Sequence, residues 1–163
     1  MGHVPKSRAA GLNAIQFVIP WNLHEPLPNK YNFEDRYDIQ AFIKMAYEES
    51  LYVLLRPGPY ICAEHNGGGL PFWLYQMYPN ITLRSSDSHF LDRVDQWWDA
   101  LLPMIKPLLY ENGGPIIMVQ LENEYGSYGL QTGYCDIAYG IYLRNLVRKY
   151  LGPKVLMYTT DGT

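Results

Sequence analysis

Short β-rich runs alternate with helical periods along the chain, and this alternation is what most constrains the fold. Ala14-Ile15-Gln16-Phe17-Val18-Ile19 reads as a strand closed by Pro20-Trp21-Asn22. A loop with Pro26, Pro28 and Asn29 follows. Arg36 to Ser50 then places Ile39, Phe42, Ile43 and Ala46 on one helical face. Leu51 to Leu55 is nearly continuously apolar, the pattern of a strand buried on both faces, and Arg56-Pro57-Gly58-Pro59 ends it. A loop from Tyr60 to Pro71, loosened by Gly67-Gly68-Gly69, leads to a short helical stretch from Phe72 to Tyr78. Asp87 is the best N-cap for a long helix carrying Phe90, Leu91, Val94, Trp97, Trp98, Leu101 and Leu102. Pro103 and Pro107 predict a kink or two helical pieces. Asn112-Gly113-Gly114 stops that unit. Ile116 to Leu121 is the next strand, Tyr134 to Tyr150 the next helix, and Val155 to Tyr158 the last strand, running into Thr159-Thr160-Asp161-Gly162.

Strand-helix alternation of this kind makes a parallel sheet with right-handed crossovers. An open nucleotide-binding sheet would carry a glycine-rich turn between a strand and its helix, and none of the glycine clusters sits there. Polar residues instead follow all four strand ends: Asn22, Glu64, Asn123 with Glu124, and Asp161. Barrel enzymes place their active sites at that end. The expected fold class is α/β, a parallel (β/α)8 TIM barrel of which the four β/α units supply about half.

Composition sets outer limits. With 163 residues, 48% hydrophobic and 18% charged, the chain is one globular domain without an internal boundary. A net charge of -3 without a basic cluster argues against nucleic acid and anionic membrane as partners. No segment reaches the roughly 18 apolar residues of a membrane span, and the N-terminus has no apolar signal core. Asn80-Ile81-Thr82 is a glycosylation sequon, meaningful in a secreted protein. Cys62 and His65 are too few for a metal site, and no metal or cofactor is expected. Aromatic residues at 15% suit either a large core or a surface that packs on sugar rings.

The third strand changes character at its end. Gly113 to Gly129 reads GGPIIMVQLENEYGSYG, apolar and then abruptly acidic. Carboxylates beside an apolar core are costly unless they are paired or perform chemistry. On an extended chain Glu122 and Glu124 would share a face. A carboxylic acid in a partly apolar pocket can donate a proton near neutral pH, and Asn123 between them can bond a substrate hydroxyl, an arrangement suited to glycoside hydrolysis. Strand-end ion pairs to Arg56 or Arg84 are the competing explanation.

This segment resembles the active-site signature of glycoside hydrolase family thirty-five, the acid β-galactosidases, from Gly113-Gly114-Pro115 through Gln120 to Glu122-Asn123-Glu124-Tyr125. GLNAIQ, PWNLHEP, LLRPGPYICAE, GGLPFWL, LRSSD, KPLLYENGGP and YTTDG resemble further family segments in the same order. The resemblance implies a retaining β-galactosidase acting on terminal β-galactosides. Glu124 would be proton donor and later general base, Asn123 the ligand of the sugar 2-hydroxyl, and Glu64 beside Ala63 a galactose-binding carboxylate. Arg56 would be a structural cation, Trp21 and His24 packing residues, and Cys62 a small buried residue. Val18 stands where the family often has a sugar-contacting tyrosine, and His65 where it commonly has an aromatic residue.

By the same resemblance, residues 1–163 are a partial β-galactosidase catalytic barrel, its four units resembling strands two to five. The nucleophilic glutamate, expected on the seventh strand, is not in this chain, so the isolated chain is expected to be inactive. The parent would be lysosomal or secreted. Two unpaired parallel edges invite self-association, and an inactive carbohydrate-binding or barrel-completing product is the alternative.

Overall fold

Ala14–Val18 (β1), Tyr52–Arg56 (β2), Ile116–Gln120 (β3) and Met157–Tyr158 (β4) pair side by side in chain order as one parallel sheet. The computed structural model describes residues 4–133 and 135–161. The helices are Val4–Ala9 (α1), Trp21–His24 (α2), Ile39–Glu48 (α3), Trp73–Met77 (α4), Ser88–Ile105 (α5), Tyr125–Thr132 (α6) and Ile137–Leu151 (α7). With α3, α5 and α7 as crossovers, the chain forms four successive β/α units, half of a (β/α)8 barrel.

Register divides the strands into two faces. Phe17 pairs with Leu55, Leu55 with Val119 and Val119 with Met157. This row belongs to the main core, with Ile39, Ile43 and Ala46 of α3, Trp97, Trp98 and Leu101 of α5, and Leu143 and Val147 of α7. The alternate residues Gln16, Arg56, Gln120 and Tyr158 make a polar inner face. Arg56 Nη1 donates to Gln16 Oε1 at 3.2 Å, and Gln16 Nε2 donates to the Tyr158 hydroxyl at 3.2 Å. A bond from β1 to β4 requires the sheet to curl, as a barrel wall does. The continuous apolar run at Leu51–Leu55 suggests burial on both sides, but only Val53 and Leu55 of β2 are fully buried. Leu54 is half-buried because the inner face is lined by polar side chains.

Helix boundaries follow local chemistry. Asp38 accepts from the Ala41 amide as the N-cap, so α3 begins at Ile39, three residues after the expected Arg36. Asp87 accepts from the His89 and Phe90 amides, as its cap position implies. Pro103 lies within α5, which runs to Ile105 before a tight turn at Lys106–Leu108 containing Pro107. Asp136 caps α7 through the Tyr139 amide, so this helix begins at Ile137. Tyr134, where the periodicity places its start, lies outside the described residues, as does Gly162. The α6 helix was not evident from periodicity. Among the described residues no helix is long and apolar enough to cross a membrane.

Asp87 and Asp136 make folding sensitive to acid. Partial burial raises both carboxyls. Against it, the Thr82, Phe90 and His89 amides hold Asp87 below its ordinary value, and the Ser86 hydroxyl with the Ser86 and Tyr139 amides does the same for Asp136. A depressed carboxyl contributes stability above its unfolded value of about 3.9, and that stability is lost as pH falls through the folded value. Chemical denaturation between pH 5 and pH 2.5 (roughly the window of this linkage) should therefore show falling stability below about pH 4. An Asp87→Asn/Asp136→Asn chain should show a flatter profile over that range. Parallel profiles would assign the acid sensitivity to other groups.

Candidate active site

The acidic segment after β3 is not extended. Glu122 and Glu124 both adopt left-handed backbone, with φ of 57° and 49°. Such conformations cost non-glycine residues about 1–3 kcal/mol each and persist where the surroundings impose them. The expectation that the two carboxylates share a face is thereby corrected. Glu122 turns into the core at 5% exposure, whereas Glu124 is exposed at the N-terminus of α6.

Glu122 is an ion-pair residue, as the competing explanation held. Its Oε2 accepts from Arg84 Nη2 at 2.7 Å and Nε at 3.1 Å, and from the Asn123 amide at 3.1 Å. Its Oε1 accepts from the Tyr139 hydroxyl at 2.6 Å. Arg84 Nη2 also donates to the Asn123 carbonyl at 2.7 Å, and its guanidinium lies 3.9 Å from the Tyr60 ring centre and 4.2 Å from that of Tyr128. Burial pushes the Glu122 carboxyl up, while Arg84, Tyr139 and the Asn123 amide pull it down. The result is a buried clamp on the backbone that presents Asn123 and Glu124. Arg84 is one of the two cations the sequence offered as a partner, and Arg56 is not the one that pairs with Glu122. Tyr139 was not legible as a member of the clamp.

Asn123 is 6% exposed, and its amide orientation is set by Arg56. A guanidinium only donates, so the group facing Arg56 must be Oδ1. That oxygen accepts from Arg56 Nη2, from Gln120 Nε2 at 3.2 Å and from the Thr160 hydroxyl at 3.4 Å. No partner is found for Asn123 Nδ2 among the described residues. Arg56 Nη2 also donates to the Ile61 carbonyl at 2.8 Å, tying the loop after β2 to the same point. Arg56 is therefore the structural cation expected of it, though at the heart of the site.

Glu124 and Asn123 line a cleft of about 430 Å³ with Tyr60, Tyr75, Arg84 and Tyr128. No hydrogen bond or ion pair is found for the Glu124 carboxylate among the described residues. Ala63 and Glu64 do not line this cleft. They sit on the loop after β2, where Cys62, Ala63 and Glu64 are all left-handed, with φ of 55°, 49° and 55°. Glu64 is exposed and Ala63 half-buried. Cys62, expected to be buried, is exposed because this turn directs it outward from the loop. Val18 and His65 come together in a separate depression of about 300 Å³ with Phe17, Pro20 and Leu23. Asp161 accepts from the Gly126 amide at 2.8 Å and so serves the start of α6. Trp21 donates to Glu25 at 2.6 Å, and His24 meets the Asn32 carbonyl at 2.9 Å, both in packing roles. A larger depression of about 610 Å³ beside α7 and β4 is lined mainly by apolar side chains such as Ile137, Ile141 and Leu156, and contains neither Asn123 nor Glu124. Among the described residues no group of three or more His, Cys, Asp or Glu could hold a metal ion.

Comparison with known proteins gives a consistent picture. Residues 2–163 match the family described as Glycosyl hydrolases family 35. The chain is 55% identical over 157 residues to a β-galactosidase of Felis catus, covering 96% of this chain and 23% of that protein. It is 53% identical to a β-galactosidase of Homo sapiens, again over 157 residues, with 96% and 22% covered. Against β-galactosidase 8 of Oryza sativa subsp. japonica the identity over 157 residues is 52%, with 96% and 23% covered. The chain thus spans about a quarter of the length of these relatives. In shape it resembles the exo-β-1,4-mannosidase Op5Man5 of Opitutaceae bacterium strain TAV5, with a TM-score of 0.74, 15% identity, and 97% of this chain and 27% of that one covered. A β-galactosidase of the psychrophilic Marinomonas ef1 gives a TM-score of 0.64 at 12% identity, with 96% and 34% covered. At such identities these two likenesses bear on the fold alone.

Proposed function

We propose that this chain, which belongs to the glycosyl hydrolases of family 35, carries the acid/base half of a β-galactosidase active site. The observation that carries the reading is the contrast between the two glutamates after β3. Glu122 is consumed by its buried clamp, while Glu124 lines a cleft without a partner among the described residues, beside an asparagine of fixed orientation.

Chemically, Glu124 protonates the glycosidic oxygen as the bond to the anomeric carbon breaks, and later takes a proton from the attacking water. Asn123 has its carbonyl oxygen held by Arg56, so Nδ2 is the group that donates to the sugar 2-hydroxyl. Glu64 is exposed on the loop after β2 and does not line the cleft itself; it is read as accepting from two neighbouring hydroxyls of galactose, a grip that a carboxylate makes well. Retention requires a second carboxylate about 5 Å from the first. Glu122 is bound to Arg84 and Tyr139, and Asp161 to the Gly126 amide, so neither is placed as that nucleophile. The parent protein is read as lysosomal or secreted, acting on β-galactosides.

Binding tests the reading independently of turnover. Calorimetric titration of the chain with methyl β-galactoside should give saturable binding, with methyl β-glucoside weaker by about tenfold or more, since unmatched polar groups are left unpaired. Glu64→Gln should weaken the galactoside by about tenfold. Equal affinity for both epimers, or indifference to Glu64, would remove galactose recognition from this site.

A further inference from the structure

Beyond the cleft that holds Glu124 lies a second depression of about 340 Å³, lined in part by Asn22, Asn66, Phe72, Trp73 and Gln76. The two adjoin, because Gly67 and Leu70 border both. The rim between them is low at Gly67, where a Cβ would meet nothing within 4 Å. The helix α4 runs along the pair. Phe72 has helical backbone (φ -66°, ψ -26°), so Phe72, Tyr75 and Gln76 fall at i, i+3 and i+4 on one side. Tyr75 lines the Glu124 cleft, and Phe72 and Gln76 the second depression.

Two features of this surface are not accounted for by packing among the described residues. Phe72 is 77% exposed and Tyr75 47%, with ring centres 6.1 Å apart at 62°. Exposed aromatic residues side by side contribute little to stability, but their faces suit the C–H faces of a pyranose ring. The second feature is Asn22. Its Nδ2 donates to the Asn66 carbonyl at 3.1 Å, while its Oδ1 is buried without a partner among the described residues. A buried acceptor left unpaired costs free energy, and Asn22 also lines the depression with its amide. No charged side chain lines this depression, so the surface offers aromatic faces, amides and no ionic contact.

We propose that Phe72, Tyr75, Gln76 and Asn22 form a subsite for a neutral sugar ring on the leaving-group side of the scissile bond. This rests on the reading of Glu124 as the acid. The acid stands against the departing oxygen, so the group attached to that oxygen extends away from Asn123 along α4.

Calorimetry with an uncleavable sulfur-linked galactosyl disaccharide, beside methyl β-thiogalactoside, tests this in the full chain. The disaccharide should bind about 5–10-fold tighter, the scale of one added stacking contact. Phe72→Ala should abolish that advantage without changing methyl β-thiogalactoside affinity, and Phe72→Trp should keep it. Equal affinities in the unaltered chain, or an advantage that survives Phe72→Ala, would overturn the subsite and leave the galactose site standing. Binding of neither ligand would overturn both.

Discussion

Arg84→Met is expected to destabilise the chain by about 3–5 kcal/mol, because it leaves a fully desolvated carboxylate at Glu122 without its cation. Arg84 and Glu122 are 7% and 5% exposed, and their 2.7 Å contact is shared with the Asn123 carbonyl. Against a typical margin of about 5–15 kcal/mol, such a loss approaches unfolding at moderate temperature. A neutralised partner distinguishes the charge from the packing. Arg84→Met/Glu122→Leu removes both ions and should recover about half or more of the loss, as buried ion pairs replaced by apolar groups often do. It should not recover ligand binding, because the left-handed turn at Glu122 loses the contacts that impose it. Urea denaturation of the three chains measures the first claim. A single-variant cost below about 1 kcal/mol, the level of an exposed ion pair, would refute the clamp.

Glu124→Gln is expected to lower turnover by about 10²–10⁴-fold in an active protein carrying this sequence, the range of a single general acid. The deficit should depend on the leaving group. A dinitrophenyl galactoside departs without protonation, so its first step should be nearly unaffected, while lactose should suffer the full loss. The kcat/KM values of both substrates, which report the first step alone, give the comparison. An equal deficit for both would mean that Glu124 supports structure and not proton transfer. Turnover by the 163-residue chain alone would mean that it supplies its own second carboxylate.

Much of this was legible before any coordinates. Period-two and 3.6-residue patterns reflect backbone geometry, so the four strands and the helices at Ile39–Glu48, Ser88–Ile105 and Ile137–Leu151 were visible in order. Asp87 was visible as a cap because a short acceptor before an apolar helical face has few other uses. The α6 helix was not, because Tyr125–Thr132 carries two glycines and little apolar periodicity. Cys62 was misplaced because three successive left-handed residues reverse the side-chain direction that an extended loop would give.

The sequence by itself determined a parallel strand-helix sheet with chemistry at its strand ends, since pattern and turn chemistry are local properties of the chain. The family resemblance singled out Glu124, but only the tertiary structure decided that Glu122 is buried and paired while Glu124 stays exposed. Glu122 and Glu124 are two residues apart and chemically identical. Arg84, from 38 residues away, and Tyr139, from 17, converge on the first and leave the second in the cleft. Burial and pairing depend on which distant groups meet a side chain, and that is settled when the sheet curls and its loops pack.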